Sequence, residues 1–245
     1  MAELMLLSNS TAPGAGFLEH ALEAVRDVLG QRESLLFIPY AGSDPGLYTT
    51  TMRRAMSKID VRVDGLHEAA DPVQAVRDAQ AVFTGGGNTF RLLRTVTDLG
   101  LLGPLREAVQ YGGVPYLGAS AGSNLACPSI RTTNDMPIVE CPSLSALGLI
   151  SFQLNPHYLD PDPASKHQGE TREERILQFL EVNDCPVLGL REGSWLRVSG
   201  REARLAGLTG ARLFRRGAQP EEIPVGADLF FLMDARPRFD AGATR

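Results

Sequence analysis

The sequence has few of the features that mark membrane, nucleic-acid-binding or metal-binding proteins. It contains no apolar run long enough to span a bilayer, and no basic region followed by an apolar segment opens it as in a secretory signal. The formal net charge of −5 provides no basic surface for nucleic acid. The three cysteines, Cys127, Cys141 and Cys185, are odd in number and lack metal-ligand spacing, which argues against a disulfide framework and a zinc site. We therefore expect a soluble cytoplasmic protein without nucleic-acid or membrane partners.

The 245 residues are enough for one large α/β domain, and 43% of them are hydrophobic, as in ordinary globular proteins. Strands and helices are indicated in alternation at residues 4–7, 18–29, 35–39, 48–59, 61–66, 81–84, 89–98, 104–112, 149–154 and 187–190, with a further helix that opens at residues 71–72. This alternation predicts an α/β fold with a mostly parallel sheet and helices on both faces. A turn at residues 199–202 between two apolar runs predicts an antiparallel C-terminal extension. We assign residues 1–235 to a single domain and expect residues 236–245 to be a disordered tail.

The segment of residues 113–122 contains the most informative pattern. Residues 114–117 form an apolar run typical of a buried strand, and the next five residues, GASAG, fit the pattern G-x-S-x-G. This pattern places a serine on a tight turn between strand and helix, with glycines where a Cβ would clash. The turn would expose the Ser120 hydroxyl beside N–H groups of a helix N-terminus, where an oxyanion can be held. An ordinary corner between strand and helix is the alternative.

A second glycine-rich segment, GGGN at residues 85–88, follows another predicted strand. It lacks the spacing of a dinucleotide-binding motif and contains no Gly-Lys-Ser/Thr, so a phosphate site is poorly supported. Consecutive glycines also expose backbone N–H groups, as in the oxyanion loops of hydrolases. Gly87 or its neighbour could donate one hydrogen bond and Ala121 the other, and a tight turn is the alternative. Because ligands bind at the carboxyl ends of parallel strands, both glycine segments are expected at one edge.

A serine nucleophile needs a base, and the base needs a carboxylate that orients it. Among the four histidines, His157 is the best candidate for the base because it follows a predicted strand and a stiff Asn-Pro pair. An ordinary surface histidine is the alternative. Two carboxylates could orient it: Glu192, after the strand at residues 187–190, and Asp135, in the polar loop at residues 131–137. From the residues alone, either could instead be a solvated surface group.

Several motifs occur together in the order found in one known family. They are LLSNST at residues 6–11, GGGNTF at 85–90, GASAG at 118–122, RTTNDMP at 131–137, NPH at 155–157 and GETRE at 169–173. With them the chain resembles peptidase E, the bacterial α-aspartyl dipeptidase family, from its N-terminus to about residue 198. The resemblance implies a fold like that of class I glutamine amidotransferases. It also implies hydrolysis of dipeptides with an N-terminal aspartate (Asp-Xaa), without a metal or a cofactor.

The resemblance further implies the roles of the catalytic residues. Ser120 matches the nucleophile that forms an acyl-enzyme, and His157 matches its general base. Asp135 and Glu192 both fall on motif positions considered for the third member of the triad. We favour Glu192 because it ends a strand at the expected catalytic edge. Asp135 would then bind substrate or order its loop.

The substrate of such an enzyme carries charges that the site must recognise. An arginine fork is the natural partner of a planar carboxylate. Arg131 and Arg172 lie in family-like motifs, and Arg131 is closer in sequence to Ser120; a surface salt bridge is the alternative for each. The free α-amine of a dipeptide would need a carboxylate, which Asp135 or Glu170 could provide. Asn88, at the end of the glycine-rich segment, is a further substrate-binding candidate.

Three other functions compete with this prediction. A cyanophycinase-like hydrolase of aspartate-rich polymers would share the serine, the glycine-rich segment and the fold. A non-catalytic binding module with an amidotransferase-like fold would usually have lost one of the catalytic residues. A nucleotide-binding protein would need a phosphate-binding lysine near residues 85–88, and the sequence has none there. The expected partner is therefore a small peptide substrate, and a homodimer is compatible with the sequence.

Overall fold

A computed structural model describes residues 2–162, 164, 166 and 168–241. Its strands are β1 (Glu3–Leu7), β2 (Ser34–Ile38), β3 (Arg62–Gly65), β4 (Val82–Thr84), β5 (Tyr116–Ala119), β6 (Gln153–Pro156), β7 (Val187–Leu190), β8 (Ser194–Ser199), β9 (Glu202–Gly207), β10 (Ala211–Phe214) and β11 (Glu221–Ile223). Its α-helices are α1 (Leu22–Leu29), α2 (Pro45–Met56), α3 (Pro72–Arg77), α4 (Thr89–Asp98), α5 (Leu102–Gln110), α6 (Ala121–Ala126) and α7 (Arg172–Val182). Short 3₁₀ helices lie at Glu19–Ala21, Ser57–Ile59, Leu66–Glu68 and Phe230–Asp234.

The main sheet of the described residues has seven strands in the order β3-β2-β4-β5-β1-β8-β9. The first five pair in parallel, whereas β8 and β9 are antiparallel to their neighbours. The predicted α/β class, with a mostly parallel sheet and an antiparallel C-terminal extension, is confirmed. The parallel order brings the carboxyl ends of β4, β5 and β1 side by side, at the edge where α/β sheets bind ligands.

Helices cover both faces of this sheet because its central strands are apolar on both sides. In β1, Leu4 and Leu6 belong to one core cluster, whereas Met5 and Leu7 belong to the other, as the twofold period of a strand requires. The first cluster contains buried side chains of α3 to α6, and the second contains those of α1 and α2. The glycine-rich segments therefore lie at the end of a sheet that is packed on both sides.

The described residues also form a second sheet of four strands, in the order β11-β10-β7-β6, which the sequence pattern did not predict. In it β6 and β7 are parallel, and β10 and β11 extend the sheet in antiparallel fashion. The physical reason is that β8 takes the place next to β1 in the main sheet, so β6 and β7 pair with each other. The site elements predicted after β6 and β7 therefore come from a separate sheet.

Several element boundaries differ from the prediction: α2 and α5, for example, begin three and two residues earlier than expected, at Pro45 and Leu102. The helix expected from residue 18 begins as a 3₁₀ turn before α1, because Leu18 has a φ of 57° and is not helical. The strand expected at residues 149–154 begins only at Gln153. The backbone N–H groups of residues 147–149 instead donate to carbonyls of residues 125–127, so this segment packs along the end of α6.

Part of the tail predicted from residue 236 is described, and Arg238 within it contacts Asp184. Arg238 and Asp184 exchange backbone hydrogen bonds of 2.8 and 2.9 Å. The predicted tail also includes residues 242–245, which lie outside the described residues. The assignment of residues 1–235 to one domain stays a prediction. Among the described helices, none has both the length and the apolar character needed to cross a membrane.

Candidate active site

Ser120 lies on a strained turn between β5 and α6. Its φ of 51° and ψ of −108° form a backbone conformation that L-residues rarely adopt, at a cost of about 1–3 kcal/mol. A Cβ at Gly122 would lie 2.1 Å from the carbonyl oxygen of Thr84, and one at Gly118 would lie 2.6 Å from the backbone of Gly122. Both glycines are therefore sterically required. The Ser120 N–H donates to the Leu7 carbonyl at 3.0 Å, which holds the turn against β1.

His157 connects Ser120 with Glu192. Its Nε2 lies 3.1 Å from Ser120 Oγ, and its Nδ1 lies 2.8 Å from Glu192 Oε1. With Nδ1 protonated and donating to the carboxylate, Nε2 is the nitrogen that can accept the serine proton. The His157 and Glu192 side chains are 40% and 38% exposed, so a small substrate can reach them. The arrangement can therefore support nucleophilic catalysis.

Hydrogen bonds from distant segments hold His157. It follows β6 and has a φ of 55°. Its N–H donates to Ser8 Oγ at 2.9 Å, and the Ser8 hydroxyl donates to the Leu190 carbonyl at 2.9 Å. The Tyr158 N–H donates to the same carbonyl at 2.9 Å. Because Ser8 directly follows β1, one buried hydroxyl joins the main sheet to the ends of β6 and β7.

The backbone around Glu192 is held in a similar way, directly after β7. The Gly193 N–H donates to Asn9 Oδ1 at 2.8 Å, and the Glu192 carbonyl accepts from the Thr209 hydroxyl at 2.7 Å. Asn9 is only 2% exposed and follows Ser8 in the polar segment after β1. Two consecutive polar residues of the main sheet therefore support both the histidine and the glutamate.

Backbone N–H groups without acceptors lie next to Ser120. Within the described residues, no acceptor is found for the N–H of Gly87 or of Ala121. Gly87 has a φ of 133°, and a Cβ there would lie 2.4 Å from the Ala41 carbonyl oxygen, so only glycine fits. A Cβ at Gly86 would lie 3.2 Å from Ser120 Cβ, which places this glycine segment against the serine. The two predicted donors therefore flank the predicted nucleophile.

A cavity of about 410 Å³ opens beside Ser120 and His157. Its lining is mostly polar and consists of Gly87, Ser120, Asn124, Thr133, Asn134, Asp135, Pro156, His157 and Arg172. The volume is in the range of pockets that bind small molecules. Within the part of the chain that the structure describes, no three His, Cys, Asp or Glu side chains are arranged to hold a metal ion.

Asp135 lines this cavity but does not contact His157. Its Oδ2 accepts hydrogen bonds from the Thr89 N–H at 2.8 Å, the Thr89 hydroxyl at 2.6 Å and the Thr133 hydroxyl at 3.1 Å. These bonds attach the loop of residues 131–137 to the N-terminus of α4. The carboxylate on His157 Nδ1 is therefore that of Glu192.

Arg172 is the arginine that lines the cavity. It is the first residue of α7, whose start is fixed by hydrogen bonds exchanged between Thr171 and Glu174. Burial and the nearby Arg175 lower the pKa of Arg172, whereas Asp135 acts in the opposite direction. Among the described residues, no carboxylate forms a salt bridge with Arg172. Its guanidinium is available to an anionic ligand.

Three other predicted substrate residues have partners elsewhere in the structure, and their roles in substrate binding stay predictions. Arg131 donates two hydrogen bonds to Asp240, at 2.7 and 3.0 Å, and does not line the cavity. Glu170 accepts from Gln178 at 2.9 Å and lines a neighbouring cavity instead. Asn88 caps α4, with Oδ1 accepting from a backbone N–H at 3.0 Å and Nδ2 donating to a carbonyl at 2.9 Å. Closeness in sequence to Ser120 did not indicate closeness in space.

The sequence interpretation missed several residues of the site. Asn124 is 3% exposed and lines the cavity, and its Oδ1 has no hydrogen-bond partner among the described residues. Its position four residues after Ser120 places it on the same helix face, a signal that could have found it. Thr133 and Asn134 also line the cavity. Ser8 lies in a matched motif, and its polar character directly after a strand was a usable signal.

Comparisons with known proteins give one consistent result. The sequence profile of "Peptidase family S51" matches residues 4–206. The chain is 58% identical over 239 residues to a "Peptidase E" of Streptomyces coelicolor, covering 98% of each chain. It is 49% identical over 232 residues to a Drosophila melanogaster protein named "Probable alpha-aspartyl dipeptidase", covering 94% of this chain and 97% of that one. A solved peptidase from an acI-B1 actinobacterium shares the fold, with a TM-score of 0.67 at 16% identity over 94% of this chain and 96% of that one.

Proposed function

Because the chain belongs to peptidase family S51, we propose that it is a serine-type dipeptidase that hydrolyses dipeptides with an N-terminal aspartate. The observation that carries the proposal is the hydrogen-bonded chain from Ser120 through His157 to Glu192, beside a small polar cavity. The name of the relative that is 49% identical describes the same activity.

In the proposed reaction, His157 Nε2 removes the proton of Ser120 while Oγ attacks the carbonyl carbon of the aspartyl residue. The imidazolium that forms is stabilised by Glu192 through Nδ1. His157 then gives its proton to the nitrogen of the leaving amino acid, and the C–N bond breaks to leave an acyl-enzyme. A water molecule, deprotonated by the same histidine, releases aspartate and restores the serine.

The negative charge that develops on the carbonyl oxygen needs fixed donors. The N–H groups of Gly87 and Ala121 lack acceptors among the described residues and flank the serine, which supports this role. The Ala121 N–H is also at the N-terminus of α6, where the helix dipole favours an anion. Removing one donor of this kind typically raises the barrier by about 3 kcal/mol.

Opposite charges in the cavity match an N-terminal aspartyl residue, which carries an α-ammonium and a β-carboxylate on adjacent carbons. Arg172 is the proposed partner of the carboxylate. Asp135 is the proposed partner of the ammonium, because its Oδ1 accepts no hydrogen bond from a described residue. The unpartnered amide oxygen of Asn124 offers a second acceptor. A substrate with both charges would therefore complete the site.

The proposal is tested with purified protein and four substrates: Asp-Leu, Ala-Leu, Glu-Leu and a longer peptide that begins with aspartate. We expect Asp-Leu to be cleaved fastest and Ser120→Ala to abolish its cleavage without changing the circular dichroism spectrum. Undiminished turnover by Ser120→Ala would refute the serine mechanism. Equal cleavage of the longer peptide would favour a cyanophycinase-like hydrolase, and binding of Asp-Leu without any cleavage would favour a binding module.

We also propose that the protein acts in the cytoplasm. The support is that Cys127, Cys141 and Cys185 are all free thiols, and free thiols persist in reducing compartments. Fractionation of cells that express the protein, followed by immunoblotting, tests this location. Light scattering of the purified protein tests the homodimer that the sequence allows.

A further inference from the structure

Five charged side chains and one tyrosine form a connected group that does not line the cavity. The members are Tyr158, Asp160, Glu173, Arg191, Arg212 and Glu222. We call this group the Arg191–Arg212 network. Its two guanidinium groups face three carboxylates. The side chains of Arg191, Arg212 and Glu173 are only 21%, 25% and 20% exposed, so these charges depend on one another more than surface pairs do.

Arg191 makes the shortest contacts of the network. Its Nε and Nη2 donate to the two carboxylate oxygens of Asp160, at 2.7 Å each. Nη2 also donates to the Glu222 carboxylate at 3.0 and 3.1 Å. The guanidinium carbon lies 5.8 Å from the ring centroid of Tyr158. This double hydrogen bond to Asp160 uses the planar fork of arginine, which lysine cannot reproduce.

Arg212 connects the remaining members. Its Nη1 lies 3.4 Å from Glu173 Oε2 and 3.7 Å from Asp160 Oδ1, and its Nε lies 3.6 Å from Glu222 Oε1. The Tyr158 hydroxyl donates to the same Glu173 oxygen at 3.1 Å. Tyr158 is 1% exposed, so its hydroxyl lies in a fixed position next to Glu173.

Each arm of the network is adjacent in the chain to a residue of the candidate site. Tyr158 directly follows His157, Arg191 directly precedes Glu192, and Glu173 directly follows Arg172. The network therefore joins the end of β6, the end of β7 and the start of α7. These are the three places from which the base, its carboxylate and the substrate-binding arginine extend.

We propose that the Arg191–Arg212 network positions Glu192 and His157 on one side and Arg172 on the other, and so sets their separation for the substrate. The inference rests on the proposed function, in which these three residues act on an Asp-Xaa dipeptide. The network members are positioning residues, because none of them lines the cavity. Their effect is transmitted through the adjacent backbone. Displacement of a catalytic group by about 1 Å can lower a rate by roughly 100-fold.

The two arms should affect different kinetic constants for Asp-Leu. Arg191→Met removes the contacts that hold the backbone next to Glu192. We therefore expect kcat to fall about tenfold, with KM within about twofold of the wild-type value. Glu173→Gln weakens the hold on the start of α7 next to Arg172, so we expect KM to rise about fivefold with kcat within about twofold. Arg191→Lys keeps the charge but lacks the fork, and it should retain most of the kcat defect.

Arg53→Met is the matched control. Arg53, on α2, forms a comparable double contact with Glu68, at 2.6 and 3.1 Å, and neither residue lines the cavity. It should leave kcat and KM unchanged. If Arg191→Met does not fold, Asp160→Asn removes the negative charge and one of the two acceptors of the same double hydrogen bond, at a more exposed position, and should also lower kcat without raising KM.

The outcomes separate this inference from the proposed function. Loss of activity in Ser120→Ala together with the split between kcat and KM supports both. If Ser120→Ala is inactive but the network variants keep the wild-type kcat and KM, as Arg53→Met should, the positioning role of the network is overturned and the proposed function is not. Full rescue by Arg191→Lys also overturns the positioning role, because charge without the fork would then be sufficient. Retained activity in Ser120→Ala overturns the proposed function itself.

Discussion

The two halves of the candidate site are held in place by different physical means. The nucleophile half, at residues 85–88 and 118–122, is fixed by glycines at which an added Cβ would lie 2.1 to 3.2 Å from other atoms. The base half, His157 and Glu192, is 40% and 38% exposed and is held by hydrogen bonds from distant segments. One added methyl group in the nucleophile half should therefore disrupt the folding of the whole half. The base half should lose activity in steps as its polar partners are removed.

The largest expected effect is on the nucleophile half. Gly122→Ala places a methyl group 2.1 Å from the Thr84 carbonyl oxygen and 2.8 Å from its carbonyl carbon, and these backbone atoms cannot move aside as the end of a flexible side chain would. We expect a loss of at least about 4 kcal/mol in the free energy of unfolding, or no soluble protein. Gly103→Ala is the control, since nothing lies within 4 Å of its added Cβ, and it should be neutral or slightly stabilising. A urea unfolding curve for Gly122→Ala that matches the wild type would disprove steric fixation.

The next effect distinguishes the two carboxylates that the sequence left open. Glu192→Gln keeps the shape of the side chain but removes the charge that stabilises the imidazolium, so kcat for Asp-Leu should fall by roughly 10²–10⁴-fold. Asp135→Asn should act mainly on KM, because Asp135 contacts Thr89 and Thr133 rather than His157. Steady-state kinetics of both variants measure the difference. A larger fall in kcat for Asp135→Asn would make Asp135 the third member of the triad.

The nucleophile half could be predicted from the sequence better than the base half. The GASAG pattern is local, because its steric requirement involves residues adjacent in the chain. It therefore predicted Ser120 and Ala121, and the glycine run predicted Gly87. The order of elements likewise predicted the parallel main sheet, which the structure confirms.

The base half depends on contacts that no local pattern encodes. Strands β6 and β7 lie outside the main sheet because β8 pairs with β1. This pairing joins segments far apart in the chain, so no local sequence pattern indicates it. The sequence left Arg131 and Arg172 open, with Arg131 closer to Ser120 along the chain, yet Arg172 lines the cavity and Arg131 pairs with Asp240. The hydrogen bond from His157 to Ser8 spans 149 positions of the chain and had no sequence signal beyond a polar residue after a strand.

An intermediate effect is expected from the arginine in the cavity. Arg172→Met removes the proposed partner of the substrate carboxylate, and a charge-assisted hydrogen bond contributes about 1.5–3 kcal/mol. KM for Asp-Leu should therefore rise roughly 10- to 100-fold, whereas the already poor cleavage of Ala-Leu should change little. Arg131→Met serves as the comparison, since it loses only its pair with Asp240 and should keep the wild-type KM. A rise in KM for Arg131→Met but not for Arg172→Met would instead make Arg131 the arginine that binds the substrate carboxylate.

A smaller effect is expected where the two halves meet. Ser8→Ala removes the hydroxyl that bonds both the His157 N–H and the Leu190 carbonyl. The His157 N–H loses its partner and the Leu190 carbonyl loses one of its two donors, so we expect a loss of about 1–3 kcal/mol in stability and a fall of roughly tenfold in kcat. Ser57→Ala, which removes one exposed hydroxyl from a helix end, should change neither. Normal kcat in a destabilised Ser8→Ala would mean that Ser8 joins the sheets without positioning the histidine.

The smallest effect concerns the pH dependence of stability in the base half. Hydrogen bonds from Arg191 lower the pKa of Asp160 below its ordinary value of 3.8, and Arg212 acts in the same direction. Because the folded pKa is the lower one, this contribution is complete above the unfolded pKa and is lost as the pH falls through the folded pKa. Arg191→Met should therefore lose less stability than the wild type between pH 5 and pH 3, as measured by urea unfolding. In an Asp160→Asn background the same substitution should change the pH dependence less than it does in the wild type, because the carboxyl group that makes the double hydrogen bond with Arg191 is gone, although Glu222 still pairs with Arg191.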